Sequence, residues 1–142
     1  MTEKISKFIF GVYLLFLVWL ILFKLQVNLP RFLALTDVRT LNLVPFARTG
    51  GNGQMLLNLL AFVPLGWFLR KVGQLSVGKS LLAILATTLV FETLQYSFAI
   101  GASDINDVLM NTLGGLLGIG LYQLLGKRFK GVGFLLELYF FC

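Results

Sequence analysis

The fold is decided by a long apolar run over residues 81–100, which reads LLAILATTLVFETLQYSFAI. An α-helix rises about 1.5 Å per residue, so a run of this length can span the roughly 30 Å of hydrocarbon in a bilayer. Lys79 lies just before the run and supplies a charged flank. The run is therefore predicted to be a transmembrane helix, and it carries Glu92 and Gln95 inside it.

Three further apolar runs predict helices over residues 5–23, 54–69 and 107–125. The first shows no small-residue cleavage site after it, so we expect it to remain attached as a helix. The second contains Pro64, which removes one helical hydrogen bond and kinks the axis. Together the runs predict an all-α fold, a polytopic membrane protein with a four-transmembrane-helix bundle in a single domain over residues 1–142.

Composition supports this class. The chain is 58% hydrophobic and 13% charged, whereas a soluble domain is roughly a quarter charged. It has no His and one cysteine, Cys142, so no Cys/His metal cluster is expected. The net charge is +6, but the bases flank the apolar runs instead of forming one patch. We therefore expect membrane lipids as partners, no nucleic acid, and neither a metal nor a cofactor.

The distribution of bases predicts the orientation. If the N-terminus is cytoplasmic, eight of the twelve Lys and Arg residues fall on the cytoplasmic side and four fall outside. Cytoplasmic loops carry an excess of Lys and Arg, so both termini are predicted to be cytoplasmic in a multi-pass protein of the cell membrane. Residues 24–53 are expected to form a loop that can hold a short interfacial helix around Leu33 to Leu43. The apolar tail over residues 131–142 is too short to span.

Polar side chains inside the helices then converge on the outer half of the bilayer. A charge that faces lipid costs roughly 3 kcal/mol on insertion scales, so Glu92 is expected to face protein, water or a ligand. Helical spacing places Asp107 and Asn111 on one face of the last helix, as it does Glu92 and Gln95 on the third. The predicted binding-site residues are Asn58, Glu92, Gln95, Asp104, Asp107 and Asn111.

A structural explanation competes with a binding role for these residues. Asn and Gln often bridge transmembrane helices by hydrogen bonds. Asp104 or Asp107 can cap the last helix, because a carboxylate is favoured at a helix N-terminus. Gly114 and Gly118 form a small-xxx-small pair, which allows close helix packing within the chain or between copies in a homo-oligomer.

Four segments in register closely resemble the VanZ-like family of bacterial membrane proteins. They are NLVPF at 42–46, NLLAFVPLG at 58–66, ETLQ at 92–95 and DINDVLMNTLGG at 104–115. The resemblance covers roughly residues 41–120. The family takes its name from a protein that raises resistance to the glycopeptide antibiotic teicoplanin, so the resemblance implies a cell-envelope protein that contributes to such resistance.

Three functions follow as hypotheses. The leading one is a non-enzymatic protein that binds an amphiphile, such as a cell-wall lipid intermediate or a glycopeptide antibiotic, with Arg39 and Arg48 able to contact anionic head groups. The second is a membrane-embedded enzyme in which Glu92 and Asp107 act as a carboxylate pair, or in which these and Asp104 hold a divalent metal. The third is a transport or scaffold subunit. The absence of His and of a nucleophile with its base favours the first.

Overall fold

The computed structural model describes residues 3–23, 40–46, 52–98, 102–126 and Tyr139. These residues form four helices, which confirms the predicted all-α class. In chain order they are α1 (Glu3–Phe23), α2 (Asn52–Lys71), α3 (Val77–Phe98) and α4 (Ile105–Leu121), and α4 continues as a π-helical turn, Tyr122–Gly126.

Two short strands join the connecting segments at one end of the helices. Strand β1 (Thr40–Asn42) pairs in parallel with β2 (Ala102–Asp104), and Asn42 lies opposite Asp104. The prediction of an interfacial helix around Leu33 to Leu43 is therefore wrong for residues 40–42. The backbone of these residues pairs with β2 instead of forming a helical turn. The rest of that expected helix lies outside the described residues.

Helix α2 is the centre of the packing. Every residue from Phe62 to Phe68 is buried, whereas Leu56, Leu57 and Leu60 earlier in the same helix are exposed. Phe68 stacks on Phe10 of α1 with ring centroids 5.2 Å apart, and Phe62 meets Phe91 of α3 edge-on at 6.4 Å. A helical segment that is enclosed all round is typical of the interior of a bundle.

Glycines bring the backbones of α2 and α4 into contact. A Cβ on Gly114 would overlap the carbonyl of Leu59, and a Cβ on Gly118 would overlap that of Val63. The contacting residues follow the same order along both helices, Leu59 with Gly114 and then Val63 with Gly118, so α2 and α4 run parallel. The close packing predicted for the glycine pair thus occurs within one chain. A homo-oligomer through this face would first have to displace α2.

The proline in α2 is accommodated by α1. Pro64 lacks an N–H, so the carbonyl of Leu60 loses its helical donor. Tyr13 of α1 donates its hydroxyl to the next carbonyl, Ala61 O, at 2.7 Å. Neighbouring helices commonly satisfy backbone groups near a membrane proline in this way.

Within the described ranges, three helical segments are long and apolar enough to cross a membrane: Glu3–Ile21, Val77–Phe98 and Ile105–Gly126. Helix α2 is not one of them, because it carries Asn58 within it and Arg70 and Lys71 at its end. Large apolar side chains cover the outer surfaces of the three apolar segments, including Phe8, Leu15, Leu82, Leu89, Leu113 and Leu117. Exposed apolar surface on this scale is a sign of contact with lipid.

Gly118→Ala should destabilise the protein by about 1–3 kcal/mol, because its Cβ would meet backbone that cannot rotate away. Thermal unfolding in mild detergent measures the loss as a lower midpoint. Gly120→Ala is the matched control, since a Cβ there meets nothing within 4 Å. Equal midpoints for the two variants would contradict backbone contact between α2 and α4.

Candidate functional site

The end of the bundle that holds β1 and β2 also holds most of the buried polar side chains. We call these residues, together with the half-buried Asn42 that bonds to them, the polar cluster; the buried members are Asn58, Glu92, Ser103, Asp104, Asn106 and Asp107. Three are carboxylates, and each has less than a tenth of its surface exposed. A charge is buried at this depth only with hydrogen-bond or charge partners.

Glu92 is fixed by the end of the link between α3 and α4. Its Oε2 accepts a hydrogen bond from the Ser103 hydroxyl at 2.8 Å and one from the backbone N–H of Asp104 at 2.9 Å. The two donors belong to adjacent residues of β2, so the strand presents both to one oxygen. The Glu92 side chain is 7% exposed, so it is turned away from lipid, as the cost of a charge facing lipid predicts.

Asp104 is both the N-cap of α4 and the joint between the strands. Its Oδ1 accepts from the backbone N–H of Asn106 at 2.9 Å, which satisfies one of the free donors of the first helical turn. The same oxygen accepts from the side-chain amide of Asn106 at 2.8 Å and from that of Asn42 at 3.2 Å. The capping explanation therefore holds for Asp104, within a larger network.

The first turn of α4 also makes a hydrogen bond to the segment 43–46, which follows β1. Asn106 Oδ1 accepts from the backbone N–H of Phe46 at 2.8 Å. Phe46 has a φ of 59°, in the left-handed region that a bulky residue rarely adopts. Such a conformation persists where surrounding contacts determine it, and here the Asn106 bond does so. The side chains of Leu43, Val44 and Phe46 are exposed.

Asp107 is held from α2. Asn58 donates its amide to Asp107 Oδ1 at 2.6 Å, and both side chains are buried. A bond this short is typical of a charged acceptor. It lies next to the glycine contacts, since Leu59 packs on Gly114. The close packing of the α2 and α4 backbones therefore positions Asn58 beside the Asp107 carboxylate.

Asn111 and Gln95 lie beside the polar cluster and have other partners. Asn111 donates to the Thr88 hydroxyl at 2.8 Å, one helical turn from Asp107 on α4 and from Glu92 on α3. Gln95 donates to the carbonyl of Ile21 at 2.7 Å and so ties α3 to α1. The structure thus gives these two predicted site residues helix-bridging bonds.

Comparison with known proteins decides the family. The chain matches the VanZ/LLP1 family over residues 10–126. It is 40% identical over 132 residues to Protein VanZ of Enterococcus faecium, covering 90% of this chain and 80% of that protein. The chain belongs to the VanZ/LLP1 family. The predicted resemblance is confirmed, and it points to a membrane protein of the teicoplanin-resistance type. No solved structure matches the chain.

Sequence reasoning missed three members of the polar cluster in this VanZ/LLP1 protein. Asn42, Ser103 and Asn106 contact the predicted carboxylates, but their role depends on the pairing of β1 with β2. A signal was present, since Asn42 and Asn106 both lie in the segments that carry the family resemblance. The predicted head-group contacts Arg39 and Arg48 lie outside the described residues.

The polar cluster of the VanZ/LLP1 protein offers mostly acceptors. Carboxylate oxygens only accept when ionised, and each Asn adds both an acceptor and two donors. Among the described residues, no three His, Cys, Asp or Glu side chains are grouped so that they could hold a metal ion. The arrangement can therefore bind groups rich in N–H and O–H donors.

The Asn58 to Asp107 bond should appear as a coupling energy in a double-mutant cycle. Asn58→Ala and Asp107→Ala are expected to be less destabilising together than the sum of the two, by about 0.5–2 kcal/mol, because either change alone already breaks the bond. Detergent unfolding of the four proteins measures it. The control cycle pairs Asn58→Ala with Thr93→Ala, whose hydroxyl bonds only within α3. Similar coupling in both cycles would contradict the contact.

Proposed function

We propose that the chain crosses the membrane four times, with α2 as a fourth span and both termini cytoplasmic. Helices α2 and α3 are joined by residues 72–76 alone, so the chain reverses direction there. The parallel course of α2 and α4, with α3 between them in sequence, supports the alternation that four spans require. The distribution of the bases supports the cytoplasmic termini.

Single-cysteine variants test this topology. Cys142→Ser removes the cysteine of the given sequence and supplies the background. Leu43→Cys, beside the polar cluster, should react with a membrane-impermeant maleimide in intact cells, whereas Gln74→Cys should react only after permeabilisation. Both native side chains are exposed, so accessibility is matched. Labelling of Gln74→Cys in intact cells would overturn the proposed orientation.

We further propose that this VanZ/LLP1 protein binds the head group of an amphiphile at the polar cluster and thereby contributes to teicoplanin-type resistance. The amphiphile is a glycopeptide antibiotic or a cell-wall lipid intermediate. One observation carries this: exposed apolar side chains at Leu43, Val44 and Phe46 lie directly beside buried carboxylates and amides. An amphiphile needs both surfaces next to each other, since it brings an apolar chain and a polar head.

The chemistry of the polar cluster supports this class of ligand. Glycopeptides and cell-wall intermediates carry sugar hydroxyls and peptide N–H groups, which are donors suited to carboxylate and amide oxygens. Hydrogen bonds to charged acceptors are about twice as strong as neutral ones. Contacts of Arg39 and Arg48 with anionic groups of the ligand remain part of the same proposal.

Susceptibility testing measures the function directly. Expression of the wild type should raise the minimum inhibitory concentration of teicoplanin. Asp107→Asn and Glu92→Gln should return it to the value of cells without the protein, because each removes the charge on a carboxylate that the cluster holds in place. Membrane abundance and unfolding midpoint are measured alongside, so that a loss of folding is distinguished from a loss of binding.

Thr93→Val is the matched control for Glu92→Gln. Thr93 is the next residue of α3, is exposed, and bonds only to Leu89 O in its own helix. It should leave resistance at the wild-type level. Resistance that survives both carboxylate changes would show that the polar cluster has a structural role, and no gain from the wild type would refute the resistance function.

A further inference from the structure

A second set of polar groups lies at the other end of α2. Trp67 is nine residues beyond Asn58, which places it about 14 Å along the helix from the polar cluster. Trp67 and Arg70 are three residues apart and share one face. Both contact the ring of Tyr122 in the π-helical turn: Trp67 meets it edge-on at 5.5 Å, and the Arg70 guanidinium carbon lies 5.7 Å from its centroid.

Two N–H groups beside this ring, Trp67 Nε1 and Arg70 Nε, are buried and find no hydrogen-bond partner within the part of the chain that the structure describes. Another nitrogen of the guanidinium donates to Leu75 O, which fixes the Arg70 side chain in place. A buried donor without a partner loses its hydrogen bonds to water and gains nothing in exchange, so the partner to look for is an acceptor. Both groups can only donate, which excludes a donor as the missing partner.

The charge around the two donors favours an anion. Residues 59–91 and 108–126 contain no Asp or Glu, whereas Arg70, Lys71 and Lys79 all lie at this end. The surroundings of Trp67 and Arg70 therefore differ from the polar cluster, where acceptors dominate. A phosphate oxyanion matches an N–H pair of which one belongs to a guanidinium.

We infer that Trp67 and Arg70 form a phosphate-binding site covered by Tyr122. The phosphate belongs to a membrane lipid head group or is free in solution, and the chemistry of recognition is the same. Tyr122 is half-buried and opens the π-helical turn, and such turns are frequent at functional sites. Rotation of its ring admits the oxyanion to the two N–H groups. The site does not depend on what the polar cluster binds.

Trp67 itself reports binding. The chain has two tryptophans, and Trp19→Phe leaves Trp67 as the single fluorophore. The purified full chain in neutral detergent is titrated with inorganic phosphate, with a short-chain phosphatidic acid, and with the diacylglycerol of the same chains. A saturable change in Trp67 emission is expected with the phosphatidic acid and absent with the diacylglycerol. Saturation by inorganic phosphate as well would identify the free anion as sufficient.

Variants separate a built site from general charge attraction. Arg70→Lys keeps the charge but removes the Nε–H, and it should weaken phosphatidic acid binding by about tenfold or more, the value of one charge-assisted hydrogen bond. Lys79→Gln removes an exposed charge at the same end and should change the affinity far less.

Trp67→Phe removes the other donor and keeps an aromatic ring at this fully buried position. Because it also removes the fluorophore, its binding is followed by the rise in unfolding midpoint that the phosphatidic acid produces in the wild type. That rise should be lost, and this variant keeps the site testable if Arg70→Lys fails to fold. A wild-type response in Arg70→Lys and Trp67→Phe, or an equal response to diacylglycerol, would overturn the site. In that case the Trp67 N–H is satisfied by the ring of Tyr122 alone.

Discussion

The contact between the backbones of α2 and α4 is the constraint on which the rest of the structure depends. Lipid is as apolar as a buried leucine, so helices in a membrane associate through close packing instead of through the hydrophobic effect. Gly114 and Gly118 allow that packing and fix the two helices in one register. This register brings Asn58 to Asp107 at one end of α2 and Trp67 to Tyr122 at the other. The polar contacts at both ends of α2 therefore follow from one line of contact.

The helices were predictable because each is a long local pattern, whereas the partners of the helices were not. The spacing of Gly114 and Gly118 predicted a close approach but did not say which helix would approach. The pairing of β1 with β2 was missed altogether. Strands of three residues carry no usable alternation, and their hydrogen bonds join positions about sixty residues apart in the chain. Only the fold as a whole specifies such a pair.

The candidate site was predictable to the extent that burial of charge has a known cost. That cost alone placed Glu92 inside the protein, and family resemblance drew attention to the acidic segment around Asp104. The donors that hold these carboxylates could not be assigned in the same way, since Ser103 and Asn42 are common polar residues in a link and a loop. For Gln95, the sequence predicted the face of the helix correctly but not the partner. That partner is the backbone carbonyl of Ile21 in α1.

The parallel course of α2 and α4 also has an electrostatic consequence. Two parallel helices add their macrodipoles, so each contributes roughly half a positive charge at one end and half a negative charge at the other. The positive pole of the pair coincides with Asp104 and Asp107, and the negative pole coincides with Arg70. The first turns of α2 and α4 thus favour the carboxylates beside them, the last turn of α2 favours Arg70, and reversing the charge at either place would act against the nearest helix end.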